Sequence, residues 1–203
     1  MSSIEGIGQF VITFPSVRLA QLGMFQGLTF DVARYLPAIL SPGNCGWSPR
    51  PEAEVDTSRK HLLSYVLLAH DGMIFRYRRG TPGSALAARN IASIGIDVHV
   101  ALTEADDALP DYAALLDRQL RSEIQLDAPF TNRVAALIND DEDRLGKYHF
   151  GVVHVVRLER PAVSAGIKAM SDEEFVPIGT LREAGLPLER WSQFCLEQIG
   201  RLL

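Results

Sequence analysis

The segment from Asp111 to Gln125 constrains the fold most strongly, because its apolar residues recur at the spacing of one face of an α-helix. The residues that we predict to form the buried stripe of this helix are Ala113, Leu116, Leu120 and Ile124. Gln119 and Glu123 are four residues apart, so they share a face of the helix, which we expect to border a cleft. The sequence therefore predicts a helix that packs on a core and carries few carboxylates.

Strand patterns flank this helix on both sides. An apolar run from Leu62 to Ala69 is followed by Asp71-Gly72 and by Met73 to Arg78. Asp-Gly is a favoured pair in two-residue hairpin turns, so we predict a central hairpin here. Further strands are predicted at Arg133 to Ile138 and at Tyr148 to Val156, joined by an acidic loop.

The composition is that of a globular protein, since 47% of the 203 residues are hydrophobic and 22% are charged. We predict an amino-terminal extension over residues 1–60, packed on a domain over residues 61–203. The net charge of -5 argues against a broad nucleic-acid or membrane surface. Two distant cysteines and the lack of a bilayer-spanning apolar run favour a cytoplasmic protein. Apolar residues in the extension favour a homodimer.

An ordered set of motifs resembles the Nudix hydrolases, which cleave nucleoside diphosphates linked to another group. The segment Ser93-Ile-Gly-Ile-Asp-Val-His-Val100, then Glu104, then Arg118-Gln-Leu-Arg-Ser-Glu-Ile124 resembles the Nudix box. Motifs that resemble one branch of these proteins continue along the chain at Arg78-Arg79-Gly80, Ala136-Leu-Ile-Asn-Asp-Asp141, Gly146-Lys-Tyr-His-Phe-Gly-Val-Val153, Phe175-Val-Pro-Ile178 and Leu188-Glu-Arg-Trp-Ser192. The resemblance implies an α/β fold, a Nudix-like α/β/α sandwich with a mixed sheet, and a magnesium site built from helix glutamates.

The box departs from the family pattern where that pattern carries charge. Val98 stands in place of the glycine, Glu104 in place of the first glutamate, and Gln119, Ser122 and Glu123 in place of the three helix carboxylates. A neutral amide and a hydroxyl cannot replace two anions around magnesium, which takes hard, usually anionic, oxygen ligands. We therefore predict a protein that binds a nucleotide or another phosphorylated small molecule, with weak or absent pyrophosphohydrolase activity.

The alternative is an active hydrolase that depends on magnesium, or on manganese. Glu104 and Glu123 would then act as catalytic residues and metal ligands, and Asp97, Asp140 or Asp141 would supply the missing oxygens. A run of acidic residues in a loop is more often simply solvated. A protein with a purely structural role is the third reading.

Three further residues are candidates for ligand contacts. Arg76 and Arg78 are two apart on a predicted strand, so they share a face, where they could bind phosphate or simply face solvent. His99 could hydrogen-bond a phosphate or belong to an ordinary strand edge. His149 and His154 should face opposite sides of their strand, which excludes a metal ion shared between them.

Overall fold

The computed structural model of the protein describes residues 10–80, 89–102, 112–123, 126, 128–161, 163, 170–183 and 185–203. The strands are β1 (Phe10–Pro15), β2 (Gly27–Thr29), β3 (Gly46–Pro49), β4 (Arg59–His70), β5 (Met73–Arg79), β6 (Ala92–Ser93), β7 (Ile96–Val98), β8 (Ala101–Leu102), β9 (Phe130–Asn139), β10 (His149–Leu158) and β11 (Met170–Pro177). The helices are α1 (Val17–Leu22), α2 (Val32–Leu40), α3 (Arg50–Ala53), α4 (Tyr112–Glu123), α5 (Ile178–Glu183), α6 (Arg190–Glu197) and α7 (Ile199–Leu202).

The described residues form two compact units. Unit 1 comprises residues up to 64 together with 98–117 and 136–152, and unit 2 comprises 65–97, 118–135 and 153–203. The divisions fall inside β4, β7, α4, β9 and β10, so none of them lies at residue 60. The boundary between an extension and a domain at that residue stays a prediction.

Unit 1 is built on antiparallel pairing of β1, whose partners are β3, β4 and β8. Within the same unit β2 pairs with the end of β9, where Gly27 lies opposite Asn139. Phe150 is fully buried and packs edge-on against Phe14, with ring centroids 5.4 Å apart. Phe25 meets the same ring, so an aromatic core fixes the first residues of β10.

Unit 2 contains the predicted hairpin. Ala69 lies opposite Ile74 and His70 opposite Met73, so Asp71 and Gly72 form a two-residue turn. Both have positive φ, 42° and 77°, which is what the favoured hairpin turn requires. Strand β5 also pairs with β11 and β6, and the hairpin prediction is confirmed.

The box helix is present as predicted, with its ends inside the predicted range. Leu116 and Leu120 are fully buried. The stripe differs from the prediction at the first turn, because Ala113 is exposed and Leu115 is buried in its place. Ile124 lies outside the described residues.

The carboxyl-terminal helices follow sequence spacing only in part. Thr180 and Glu183 have the spacing of a capping box, but α5 begins at Ile178, so Thr180 lies inside the helix rather than before it. The spacing of one helical face is shared by Leu188, Trp191, Cys195, Ile199 and Leu202, of which Leu188 is half-buried and the other four are buried. Within the described part of the chain, no helix has the length and apolar character needed to cross a membrane.

Candidate functional site

Three histidine rings pack together in unit 1. The centroid of the His61 ring lies 4.0 Å from that of His149 and 5.5 Å from that of His99, with each pair edge to face. His61 is fully buried, and neither of its ring nitrogens has a hydrogen-bond partner among the described residues. Nδ1 of His149 donates to the carbonyl oxygen of Leu145 at 2.6 Å. The sequence interpretation singled out His99 but noted His61 only as the start of an apolar run.

The rings of His61 and His99 are neutral at ordinary pH. Burial, followed by the nearby His149 and His99, lowers the pKa of His61 to about 2. Burial, with Arg50 and His149 nearby, lowers the pKa of His99 to about 3. Within the described residues, no group of three or more His, Cys, Asp or Glu side chains is arranged to hold a metal ion. His61 and His99 can therefore offer hydrogen bonds to a small polar molecule or water, but no positive charge.

The acidic loop is tied to a buried lysine. Lys60 is 2% exposed, and its Nζ lies 2.8 Å from Oδ1 of Asp141 and donates to the carbonyl oxygen of Gly146 at 2.7 Å. Burial lowers the pKa of Lys60, and Asp141 only partly opposes that effect. Burial raises the pKa of Asp141, but hydrogen bonds from Lys60 and Asn139 outweigh it and lower the pKa overall. This pair serves to anchor the loop.

Amide side chains complete the same network. Nε2 of Gln26 donates to Oδ1 of the fully buried Asp140 at 2.6 Å, and Oε1 of Gln26 accepts from the backbone N–H of Asp141 at 3.0 Å. Asn139 donates to the carbonyl oxygen of Phe25 at 2.8 Å. The acidic loop is thus held by hydrogen bonds in unit 1 rather than left to solvent.

A glycine allows this loop to close. A Cβ on Gly146 would lie 2.0 Å from the carbonyl oxygen of Asp140, so no other residue fits without moving the backbone. Next to it, a cleft of about 430 Å³ in unit 1 has Lys60, Lys147 and Asp141 among its lining residues. The exposed side chains of Val17 and Met24 also line it. The cleft combines charged and apolar surface.

The remaining aspartate candidate lies in unit 2. One carboxylate oxygen of Asp97 accepts from Nη2 of Arg79 at 2.7 Å. Both side chains are partly buried, with exposed fractions of 28% and 30%, so the ion pair is only partly screened by solvent. The Asp97 carboxylate is therefore engaged by an arginine of the neighbouring hairpin.

Arg76 and Arg78 face two carboxylates of β11. Arg76 forms an ion pair with Glu174, and Nε of Arg78 lies 2.7 Å from Oδ2 of Asp172. The shared strand face predicted for the two arginines is consistent with these pairs. The sequence left two alternatives for these arginines, phosphate binding or a position that faces solvent. Arg76 is 9% exposed, so it does not simply face solvent.

The box residues can be placed only in part. Gln119 is half-buried on α4, and Glu123 is the last residue of that helix, but the side chains of Ser122 and Glu123 lie outside the described residues. Glu104 also lies outside them. Convergence of Glu104 and Glu123 on one ion stays a prediction.

A buried polar network in unit 2 escaped the sequence interpretation. The hydroxyl of Tyr65 donates to Glu189 and lies 2.6 Å from the Ser192 hydroxyl. Glu189 also caps α6, accepting from the backbone N–H groups of Trp191 and Ser192. A Cβ on Gly95 would lie 2.1 Å from the Tyr65 ring, so this network requires a glycine in the box strand. Every group here is satisfied, which indicates a structural role.

No family model matches the sequence. The chain is 27% identical over 155 residues to protein YmaB of Bacillus subtilis strain 168. This alignment covers 73% of the present chain and 75% of YmaB. The crystal structure of Tm1382, described as a candidate Nudix hydrolase, superposes on this chain with a TM-score of 0.75 and 20% sequence identity. The superposition covers 96% of this chain and 100% of the Tm1382 chain.

Other structures overlap less well. The Nudix domain of NrtR from Shewanella oneidensis, cocrystallised with ADP ribose, matches with a TM-score of 0.44 over 68% of this chain, and no inference about a ligand follows from that likeness. The match to Tm1382 covers nearly the whole chain and confirms the fold predicted from the box and its flanking motifs. The protein therefore has the α/β Nudix fold, with a mixed sheet.

Proposed function

We propose that the protein binds a nucleotide or another phosphorylated small molecule and has weak or no pyrophosphohydrolase activity. Fold alone does not fix activity, so the proposal depends on the site residues. Because the net charge is -5, an anionic ligand requires a local group of cations, and Arg76 and Arg78 form such a pair.

The observation that carries the proposal is the state of the three aspartates that could supply the missing metal ligands. Asp97 is paired with Arg79, Asp141 with Lys60, and Asp140 accepts from Gln26. Each shares its negative charge with a cationic or amide partner, which makes it a weaker ligand for an ion than a free carboxylate. Breaking the buried Lys60 pair is especially costly, because the ammonium group would lose its counterion.

The described residues do not fit a magnesium cluster of the Nudix type. Gln119 supplies a neutral amide where the family pattern has a carboxylate, and the three aspartates are already engaged. Glu104 and Glu123 are the residues that would hold magnesium or manganese, if an ion binds. We propose that such binding is weak without a phosphate ligand, since two carboxylates leave most of the coordination to water and substrate.

The second candidate is an active metal-dependent hydrolase of a nucleoside diphosphate derivative, with Glu104 and Glu123 as catalytic residues. The fact that favours it is the helical geometry of α4, which runs through Gln119 to Glu123 as the box requires. In the enzyme candidate Asp140 and Asp141 would act as additional metal ligands. Asp97, His99 and Gln119 would be ligand contacts in either candidate. The two candidates differ in turnover rather than in the class of ligand.

A thermal-shift screen tests binding directly. Nucleotides, nucleotide sugars, dinucleotides and phosphorylated metabolites would be compared with their unphosphorylated counterparts, each with and without magnesium or manganese. A compound that binds the native state raises the unfolding temperature by mass action even when no turnover occurs. We expect phosphorylated compounds to stabilise the protein more than matched compounds without phosphate, and equal shifts would contradict the proposal.

Turnover is measured separately by pyrophosphate or phosphate release from the same compounds. We expect little release from the unmodified protein. Robust metal-dependent release that is lost in Glu123→Gln would establish the enzyme candidate instead.

We further propose a cytoplasmic protein, with no nucleic-acid or membrane partner, that forms a homodimer. Light scattering at several concentrations tests the last point.

A further inference from the structure

Two arginines of β5 form a concentrated positive charge in unit 2. Arg76 and Arg78 are two residues apart on one strand, so their side chains leave the same face with Cβ atoms about 7 Å apart. Arg76 is 9% exposed. Burial, followed by repulsion from Arg78, lowers the pKa of Arg76. The two cations are therefore close together in a site with limited access to water.

The counterions come from an irregular edge of β11. Ser171 lies opposite Arg78 and Glu174 opposite Arg76, so two residues of β11 face one residue of β5 in a β-bulge. Asp172 is inside this bulge and has φ of 51°, a left-handed conformation that non-glycine residues rarely adopt. The side chains of Asp172 and Glu174 are 64% and 49% exposed. The carboxylates can therefore move into solvent more readily than the arginines can.

These carboxylates leave the arginines incompletely satisfied. Among the described residues, Nε and Nη1 of Arg76 and Nη1 of Arg78 are buried without a hydrogen-bond acceptor. Buried donors without acceptors are costly, and guanidinium groups are best satisfied by bidentate contacts to carboxylate or phosphate. A ligand with more oxygen atoms than one carboxylate per arginine would satisfy all of them.

We propose that Arg76 and Arg78 form a binding site for the diphosphate group of a ligand, and that Asp172 and Glu174 occupy this site as internal competitors. A diphosphate offers two adjoining anionic groups, which matches the two carboxylates now held by the two arginines. The ligand enters as Asp172 and Glu174 swing away into solvent. The class of ligand rests on the proposed function, whereas the competition is specific to these four residues.

The test uses the full chain and measures the dissociation constant for inorganic pyrophosphate, phosphate and ADP by calorimetry, with adenosine as the compound lacking phosphate. We expect Arg78→Ala to weaken pyrophosphate binding by about tenfold or more, since it removes charge-assisted hydrogen bonds to the ligand. Arg18→Ala, at an arginine in contact with Gln21 in α1, is the matched control and should leave binding unchanged.

The discriminating variant is Asp172→Asn combined with Glu174→Gln, which keeps side-chain size and removes the internal competitors. We expect this variant to bind pyrophosphate about three- to tenfold more tightly than the unmodified protein, because the ligand no longer displaces an ion pair. Denaturant unfolding of each variant verifies that it is folded. Unchanged or weaker pyrophosphate binding by the folded double variant would overturn the proposal, and would indicate that ordered water alone satisfies the arginines.

Failure here is distinguishable from failure of the proposed function. If ADP binds the unmodified protein and Arg78→Ala equally well, the protein still binds a phosphorylated ligand but not through these arginines. If no phosphorylated compound binds the unmodified protein or the double variant, both proposals fail.

Discussion

The Lys60 network of unit 1 and the arginine pair of unit 2 use the same chemistry with opposite results. In the first, a lysine that is 2% exposed is surrounded by Asp141 and the carbonyl of Gly146 at 2.8 and 2.7 Å. In the second, two arginines meet exposed carboxylates and retain three buried nitrogens without acceptors. In both regions a cation meets a carboxylate, but the Lys60 ammonium group has acceptors on every side, whereas the two arginines keep buried N–H donors without an acceptor among the described residues.

We call a cation saturated when each of its buried N–H donors has a hydrogen-bond acceptor. Saturation, more than charge, separates a structural ion pair from a binding site. A lysine whose donors already have acceptors gains little from a ligand, and removing it leaves a partner unpaired. An arginine with buried donors lacking acceptors gains from any oxyanion that reaches it. The predictions below test this distinction, beginning with the largest expected effect.

Acid should destabilise the protein strongly through its buried neutral histidines. The folded-state pKa is lowered to about 2 for His61 and to about 3 for His99 and His154. The unfolded chain binds these protons near pH 6.5, so stability is full above that pH and is lost as the pH falls toward 3. Each histidine removes up to about 1.4 kcal/mol per pH unit in that window.

Urea unfolding between pH 7 and pH 4 measures this loss. In His61→Gln the fall in unfolding free energy below pH 6.5 should be shallower by about one proton. An unchanged slope would mean that His61 takes up its proton in the folded protein as readily as in the unfolded chain, which would contradict the prediction.

Lys60→Ala should reduce the unfolding free energy by about 3 kcal/mol, because it leaves Asp141 and the buried carbonyl of Gly146 without their donor. Asp141 is 43% exposed and can be partly hydrated, which places the effect at the lower end for a broken buried pair. Lys60→Met should cost less, since it fills the same space. Arg78→Ala is the matched variant in unit 2 and should cost less than about 1 kcal/mol.

Equal losses in Lys60→Ala and Arg78→Ala, measured by denaturant unfolding, would erase the difference between the two regions. A larger loss in Arg78→Ala would reverse it and make the arginines structural.

How far the sequence predicts these features depends on the range of the contacts. The Asp71-Gly72 turn and the stripe of Leu116 and Leu120 follow from local spacing, and both are present. The Lys60 network does not, because it joins residues 86 positions apart, and Gln26 reaches Asp140 across 114 positions. No local pattern shows that a lysine at the start of an apolar run is buried or which acceptors it meets.

The arginine pair lies between these extremes. The two-residue spacing of Arg76 and Arg78 predicts that they share a strand face, and both form ion pairs with β11. Their partners depend on a bulge in β11, which the periodicity of the sequence does not reveal. The box residues Glu104 and Glu123 were predicted by resemblance alone, and their arrangement around an ion remains untested.

The box helix allows the saturation rule to be tested with opposite charge. Gln119→Glu combined with Ser122→Glu adds two carboxylates to the helix that ends at Glu123. Without metal we expect a loss of about 0.5 kcal/mol in unfolding free energy from like-charge repulsion on the helix. Magnesium should reverse that loss and bind about tenfold more tightly than to the unmodified protein.

Calorimetric titration with magnesium and with calcium measures the gain, and Gln119→Met with Ser122→Ala provides a control of similar helix propensity without charge. If the acidic variant binds magnesium no better than this control, Gln119 and Ser122 do not border an ion site. In that case α4 shares the helical conformation of the Nudix box but not its metal site.

The smallest expected effect concerns the bulge of β11. Asp172→Asn keeps a side chain that tolerates the left-handed backbone at φ of 51° and removes only the charge that meets Arg78. Because Asp172 is 64% exposed, the pair adds little to stability, and we expect the unfolding free energy to change by less than about 0.5 kcal/mol. If unfolding by urea instead reveals a loss comparable to that of Lys60→Ala, Asp172 is a structural anchor like Asp141. In that case the arginines are saturated in practice, and no ligand is needed to account for them.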